Sequence, residues 1–278
     1  YFKGVMYVGH LLVARLNLVR KASGFDSEFD GVQDYELMLR MSELTKNIAH
    51  IPKILYHWRI LPGSIAAHPE AKRKMIDIEK LQRNAVSAHL RRTQIPADVQ
   101  SHPDIPHRVV IHPQPRRDFP LVSIIIPNRT GSEESLRRCL ASLFAKTTYR
   151  NFEVIIVDEN ASIEKVRTIT GHYPVKEIVS FPGPFQLSAF SNLGVKHAGG
   201  DFLIFLNSAT EVSTPSWMEI LLFHMELPDV GVVGPLLICP EGTVRHAGIV
   251  LSAAGTICHA MRGFPHHSES YAFLTGLQ

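Results

Sequence analysis

The chain has 278 residues and 31.1 kDa, with 45% hydrophobic and 20% charged residues, a balance that excludes a disordered or fibrous protein and fits one large domain or one and a half ordinary ones. A formal charge of +3, a pI near 8.8 and fifteen His suit an anionic small molecule or a membrane surface and argue against nucleic acid as partner. The three Cys, at 139, 239 and 258, follow no CxxC or zinc spacing, which excludes a disulfide framework and favours a reducing, cytoplasmic compartment.

No apolar run approaches the roughly 18 residues of a membrane span, and the opening "YFKGVMYVGH" lacks a signal-peptide layout. The chain begins without Met and stops at "SYAFLTGLQ" with no terminating feature, so a fragment of a longer protein is expected.

In chain order, a Gly/Asp-rich loop in "ASGFDSEFDGVQDYELMLRM" leads into a helical pattern through Leu37, Leu39, Arg40 and Met41, and "IAHIPKILYHWR" reads as a strand pair or a strand and turn. Residues 67 to 92 read as one helix, with Met75, Ile78, Leu81, Ala85 and Ala88 on its apolar face. Six Pro between 93 and 120 predict an extended linker and a domain boundary. From 121 strands and helices alternate. "LVSIIIP" is a buried strand, and Ser132 is placed to cap a helix that buries Leu136, Leu140, Leu143 and Phe144. "FEVIIVDEN" follows as a strand, then a helix through Ile163, Val166 and Ile169, the strand "VKEIVSF", a helix near 188–198 and the strand "DFLIFLN", whose Phe202, Ile204, Phe205 and Leu206 are read as core. Strands apolar on both faces and separated by helices predict an α/β fold: a mostly parallel, Rossmann-like sheet with helices on both faces.

Ligands of open parallel sheets collect at the carboxyl edge. Three polar groups converge there: Asn128 and Arg129, Asp158 to Asn160, and Asn207 to Glu211. Asp158 is suited to accept hydrogen bonds from a base or ribose; the alternative is a cap on the following turn. Neither GxGxxG nor GxxxxGK[ST] occurs, so a pyrophosphate there needs another holder, usually a divalent metal on carboxylates. His246, His259, His266 and His267 have no i, i+4 spacing beside an acid, and the pattern alone names no metal site.

The stretches "PLVSIIIPNRTGSEESLRRCLASLFAKTTYRNFEVIIVDENAS", "FSNLGVKHAGGDFLIFLNSATEV" and "VGPLLICPEGTVRHAGIVL" resemble the nucleotide-binding half of family 2 glycosyltransferases of the GT-A fold, over roughly 119 to 265. The resemblance implies a nucleotide-diphosphate sugar donor, with Pro127, Asn128 and Asp158 near the nucleoside. It implies Asn192 near the diphosphate, and Asn207 and Ser208 holding metal and sugar. "SGFDSEFDGVQDYELMLR" resembles the acceptor half of the same family and puts Asp34 where an acid deprotonates the acceptor hydroxyl, the alternative being a helix N-cap. His57 in "HIPKILYHWR" falls in the segment that closes the site, as a metal or phosphate contact or packed with Tyr56 and Trp58.

Acceptor half before donor half implies two tandem domains. Residues 1–66 end a first glycosyltransferase domain, 67–118 are a helix and Pro-rich linker, and 119–278 begin a second GT-A domain; a circular permutation is the rival arrangement. In the family the strand end carries an acidic metal-binding motif, and here Ala209 stands in place of the acid. Manganese or magnesium is therefore expected to bind weakly unless Glu211 substitutes, and Arg129 or Lys196 is left to offset the leaving diphosphate. The implied reaction is inverting transfer to a glycan or lipid-linked acceptor in cell-surface polysaccharide synthesis, at the inner face of the membrane with peripheral attachment. A module that keeps the fold without transfer is the competing reading, and a nicotinamide-dependent reductase lacks its glycine fingerprint.

Overall fold

The structure is a computed structural model that describes residues 4, 11–49, 51, 53, 55, 57, 77–103, 107–114, 118–129, 131–227, 230–251 and 255–266. The chain divides into two compact units, one of residues 1–114 with 232–278 and one of residues 115–231.

In the first unit, α1 (Leu16–Lys21), α2 (Gln33–Leu44) and α3 (Ile78–Arg92) precede a hairpin of β1 (Ala97–Ser101) and β2 (Val109–Pro113). Tyr35 and Leu39 from α2 pack with Ala85, Val86 and Leu90 from α3 and with Val109 of the hairpin. The hairpin runs antiparallel from Ala97 opposite Pro113 to Ser101 opposite Val109, where an extended linker was expected. Pro96 and Pro113 sit at its ends and Pro103 in its connection, so the prolines bound the strands instead of preventing them. The helix expected over 67–92 is described from Ile78 on, and most of the strand pair expected in "IAHIPKILYHWR" lies outside the described residues. Two further hairpins close this unit: β7 (Leu237–Ile238) with β8 (Val244–His246), and β9 (Ile249–Leu251) with β10 (Ile257–His259).

The second unit is the expected α/β sandwich. Its elements are β3 (Val122–Pro127), α4 (Glu133–Lys146), β4 (Phe152–Glu159), α5 (Ile163–Thr170), β5 (Glu177–Phe181), α6 (Leu187–His197), β6 (Phe202–Phe205) and α7 (Trp217–Met225). The four strands are all parallel, in the order β5-β4-β3-β6. One face of β3, Val122, Ile124 and Ile126, meets Leu136, Leu140 and Leu143 of α4, together with residues of α5 and α7. The other face meets α6, which approaches so closely at Gly194 that a Cβ there would lie 2.4 Å from Cγ2 of Ile125.

The prediction of a buried last strand needs correction. β6 pairs only with β3 among the described strands, and Leu203 and Phe205 are 41% and 57% exposed, so Phe205 is not core. Leu206 is buried as expected. An apolar run marks a strand, but its place in the sheet order decides whether both faces are covered. Among the described residues, no helix is long and apolar enough to cross a membrane.

Candidate functional site

Strand register sets the site. Pro127 pairs with Val157 and Ile125 with Phe205, so the chain leaves β3, β4 and β6 at one carboxyl edge carrying Asn128, Asp158 and Asn207. The backbone N–H of Asn128 donates to the Val157 carbonyl at 2.8 Å, extending the ladder one residue past the strand. This fixes the side chain of Asn128 against that of Asp158.

Asn128 is 1% exposed and Asp158 0%. The Asn128 amide donates through Nδ2 to Oδ2 of Asp158, and the Ser162 hydroxyl donates to its Oδ1. Oδ1 of Asn128 accepts from the Ser132 hydroxyl at 2.7 Å. Ser132 does hold the N-cap position of α4, but it makes no side-chain cap bond; its hydroxyl points back to Asn128 and to the Arg129 carbonyl. Both loops leaving β3 and β4 are thereby tied to one buried amide–carboxyl pair. Ser132 was expected as a helix cap and not as a partner of Asn128, and Ser162 was not singled out from the sequence, although its four-residue spacing from Asp158 is the kind of offset that closes such a loop.

The exposed polar groups at this edge include Arg129, Asn160, Asn207 and Glu211. Asn160 opens the 3-10 turn after β4, and its Oδ1 accepts from the Ser180 hydroxyl at 2.9 Å. Asn207 turns its Oδ1 onto the Ala209 N–H at 2.8 Å, and its carbonyl accepts from Thr210 N–H at 3.0 Å, a closed Asx turn. Ser208 is buried. Beneath the turn, Cys139 Sγ approaches the Asn207 carbonyl at 4.0 Å, and burial, with a smaller push from Glu211, raises that thiol to about 12. Asn192 and Lys196 lie exposed on α6.

The strand-end residues do not fit a hard divalent cation. The Asn207 oxygen is engaged in its own turn, Ala209 offers a methyl group, and Glu211 is paired with Arg138 at 3.4 Å. Among the described residues no three His, Cys, Asp or Glu side chains gather to hold a metal.

Asp34 belongs to the first unit. Val32, not Asp34, is the N-cap of α2, and Asp34 is half-buried in the first turn with Oδ1 accepting from the Tyr35 N–H at 2.8 Å. Two residues on, buried Glu36 forms a bidentate pair with Arg40, whose Nε lies 2.7 and 2.9 Å from the two carboxylate oxygens. Arg40 also donates to the Gly24 carbonyl at 2.7 Å and so anchors the loop before α2. Neither Glu36 nor Arg40 was picked out from the sequence as a partner of that loop. His57 is exposed, while Tyr56 and Trp58 lie outside the described residues.

Residues 123–250 match the family model described as Glycosyl transferase family 2. The chain is 37% identical over 273 residues to the O-antigen biosynthesis protein RfbC of Myxococcus xanthus, covering 98% of this chain and 21% of that protein. It is 34% identical over 277 residues to the uncharacterized protein y4gI of Sinorhizobium fredii (strain NBRC 101917 / NGR234), covering 96% of this chain and 30% of that protein. The chain thus spans less than a third of the length of either relative. Among solved structures it is similar to the mannosyltransferase PcManGT from Pyrobaculum calidifontis in complex with GDP-Man and Mn2+, with 17% identity, a TM-score of 0.40, and 45% of this chain and 37% of that one covered. It is also similar to residues 1–349 of TarS from S. aureus, with 19% identity, a TM-score of 0.33, and 41% and 38% covered.

Proposed function

We propose that the chain, whose residues 123–250 match the family model described as Glycosyl transferase family 2, is part of an enzyme that moves a sugar from a nucleotide-diphosphate sugar to a glycan or lipid-linked acceptor, with inversion, in cell-surface polysaccharide synthesis. The observation that carries this reading is the Asn128–Asp158 pair, which braces the carboxyl edge of a parallel sheet inside the family-matched segment. Similarity to an O-antigen biosynthesis protein supports the polysaccharide context.

In this reading Asp158 is a positioning residue. Its oxygens hold Asn128 and Ser162, and the donor rests on the exposed rim of Arg129, Asn160 and Asn207, over the buried Pro127 that ends β3, with Asn192 toward the diphosphate. In the intact parent the acceptor hydroxyl loses its proton to an aspartate in the role that Asp34 holds in the domain ended by residues 1–66 and attacks the anomeric carbon, and the C–O bond to the nucleoside diphosphate breaks with the electron pair leaving on phosphate oxygen. Charge develops on that leaving group. Arg129, an exposed guanidinium one residue past Asn128, is the cation assigned to offset it, since residues 207–211 supply no carboxylate cradle for manganese or magnesium.

A second reading has its own observation. Ala209 and the closed turn at Asn207 suit a module that keeps nucleotide binding and has lost transfer. Calorimetric titration with UDP, GDP and dTDP, with and without manganese, tests the donor site. Binding of one nucleotide, abolished by Arg129→Ala, is the expected result; absence of binding under every condition defeats the donor-site proposal. Release of nucleoside diphosphate from the matching sugar nucleotide in the presence of acceptor separates the enzyme from the module.

A further inference from the structure

We infer that His246 and His259 form the protein-borne part of a transition-metal site of the zinc, nickel or copper class. This inference stands independently of the transferase reading and uses none of the strand-end residues. β8 ends on His246 and β10 ends on His259. His259 pairs with Ile249 of β9, and the Ala260 N–H donates to the Gly248 carbonyl at 2.9 Å, so the backbone itself holds the two strand ends together. Gly248, at φ +109°, makes the turn that brings the chain back past His246, a conformation that a side chain would strain.

The two Nδ1 atoms lie 2.9 Å apart. The rings meet edge-on, with centroids 5.1 Å apart and planes at 76°, so nitrogen faces nitrogen. Two imidazole lone pairs do not face each other at such a distance unless something positive lies between them, either the proton of one ring or a cation bound by both. Burial does not force the pairing: His259 is exposed and His246 only half-buried, and water is open to each.

Two imidazole nitrogens, each about 2.0–2.1 Å from one ion, lie about 2.9 Å apart at a right angle and about 3.3 Å apart at a tetrahedral one. The observed separation suits adjacent positions on a square or octahedral ion, and a shift of a few tenths of an ångström admits tetrahedral zinc. Neutral imidazole is a preferred ligand for zinc, copper and nickel, and water fills the remaining positions. The histidines are thirteen residues apart on separate strands, which is why a search for helical spacing passes over them.

The test titrates the full chain with Zn2+ against a chromophoric competitor at about pH 7.5, where imidazole is mostly neutral. One equivalent is expected to bind, weakened at least about tenfold by His246→Gln or His259→Gln and unaffected by His112→Gln, an exposed histidine on β2. Should a variant fail to fold, ¹⁵N spectra of the unmutated chain decide: zinc must shift the Nδ1 resonances of His246 and His259 together. Zinc binding that is unchanged in both variants, or no retained equivalent in the wild-type chain, overturns the site and leaves an ordinary imidazole–imidazole hydrogen bond.

Discussion

A carboxyl group without exposed surface needs hydrogen-bond partners, and Asp158 has them in Asn128 and Ser162. Asp158→Ala strands the Asn128 amide and the Ser162 hydroxyl at a strand end. It is expected to cost about 2–4 kcal/mol, seen as a lower urea midpoint with an unchanged slope. A residue that only touched nucleotide at the surface would leave that midpoint where it was. The position of Asp158 was legible in the sequence, since it follows an unbroken apolar run. Its task was not, because Asn128 lies thirty residues away and meets it only once β3 and β4 are in register. Cysteine chemistry follows the same contrast of place and surroundings. Burial keeps Cys139 a thiol, with its pKa pushed up to about 12, whereas Cys258 is exposed. Alkylation of the native chain, read by mass spectrometry, should label Cys258 first and Cys139 only on unfolding.

At the scale of elements, helices α4 and α5 were legible from their apolar spacing, because a helix face needs only its own sequence to show itself. β6 was misjudged, because edge or centre is a property of the sheet. At the amino edge the strands are held by a latch that the sequence does not display. Glu153 on β4 accepts from the Ser123 hydroxyl at 2.6 Å and the Gly199 N–H at 2.7 Å, and pairs with Lys176 at 2.8 Å. Burial works against its charge, but the bonds from Lys176, Ser123 and the Gly199 amide outweigh it and hold the carboxyl below its usual range. With the folded value below the unfolded one, the latch is fully stabilising above the ordinary Glu pKa of about 4.3 and is lost as pH falls through the lowered value. Glu153→Gln should therefore lower stability at neutral pH and flatten its decline below about pH 4, as measured by thermal unfolding across an acid series.

Across the whole molecule, the family and the α/β sheet were legible because several linked segments carried them at once. The Pro-rich hairpin was not, since proline marks both linkers and strand ends. Asp34 tests how far the resemblance extends beyond the matched segment. It lies outside residues 123–250, in a helix whose first turn is organised by the Glu36–Arg40 pair and the Gly24 loop that it anchors. Asp34→Asn keeps an oxygen for the Tyr35 N–H and should leave α2 intact, while removing the base proposed for the acceptor hydroxyl. Loss of a general base lowers turnover by about 10²–10⁴-fold. The expected outcome is a fall of that order in the sugar transfer performed by the domain that residues 1–66 end, with an unchanged Kd for the nucleoside diphosphate at the rim of Arg129, Asn160 and Asn207. A variant that keeps full transfer would remove Asp34 from the acceptor role and leave it the structural task of binding the Tyr35 amide.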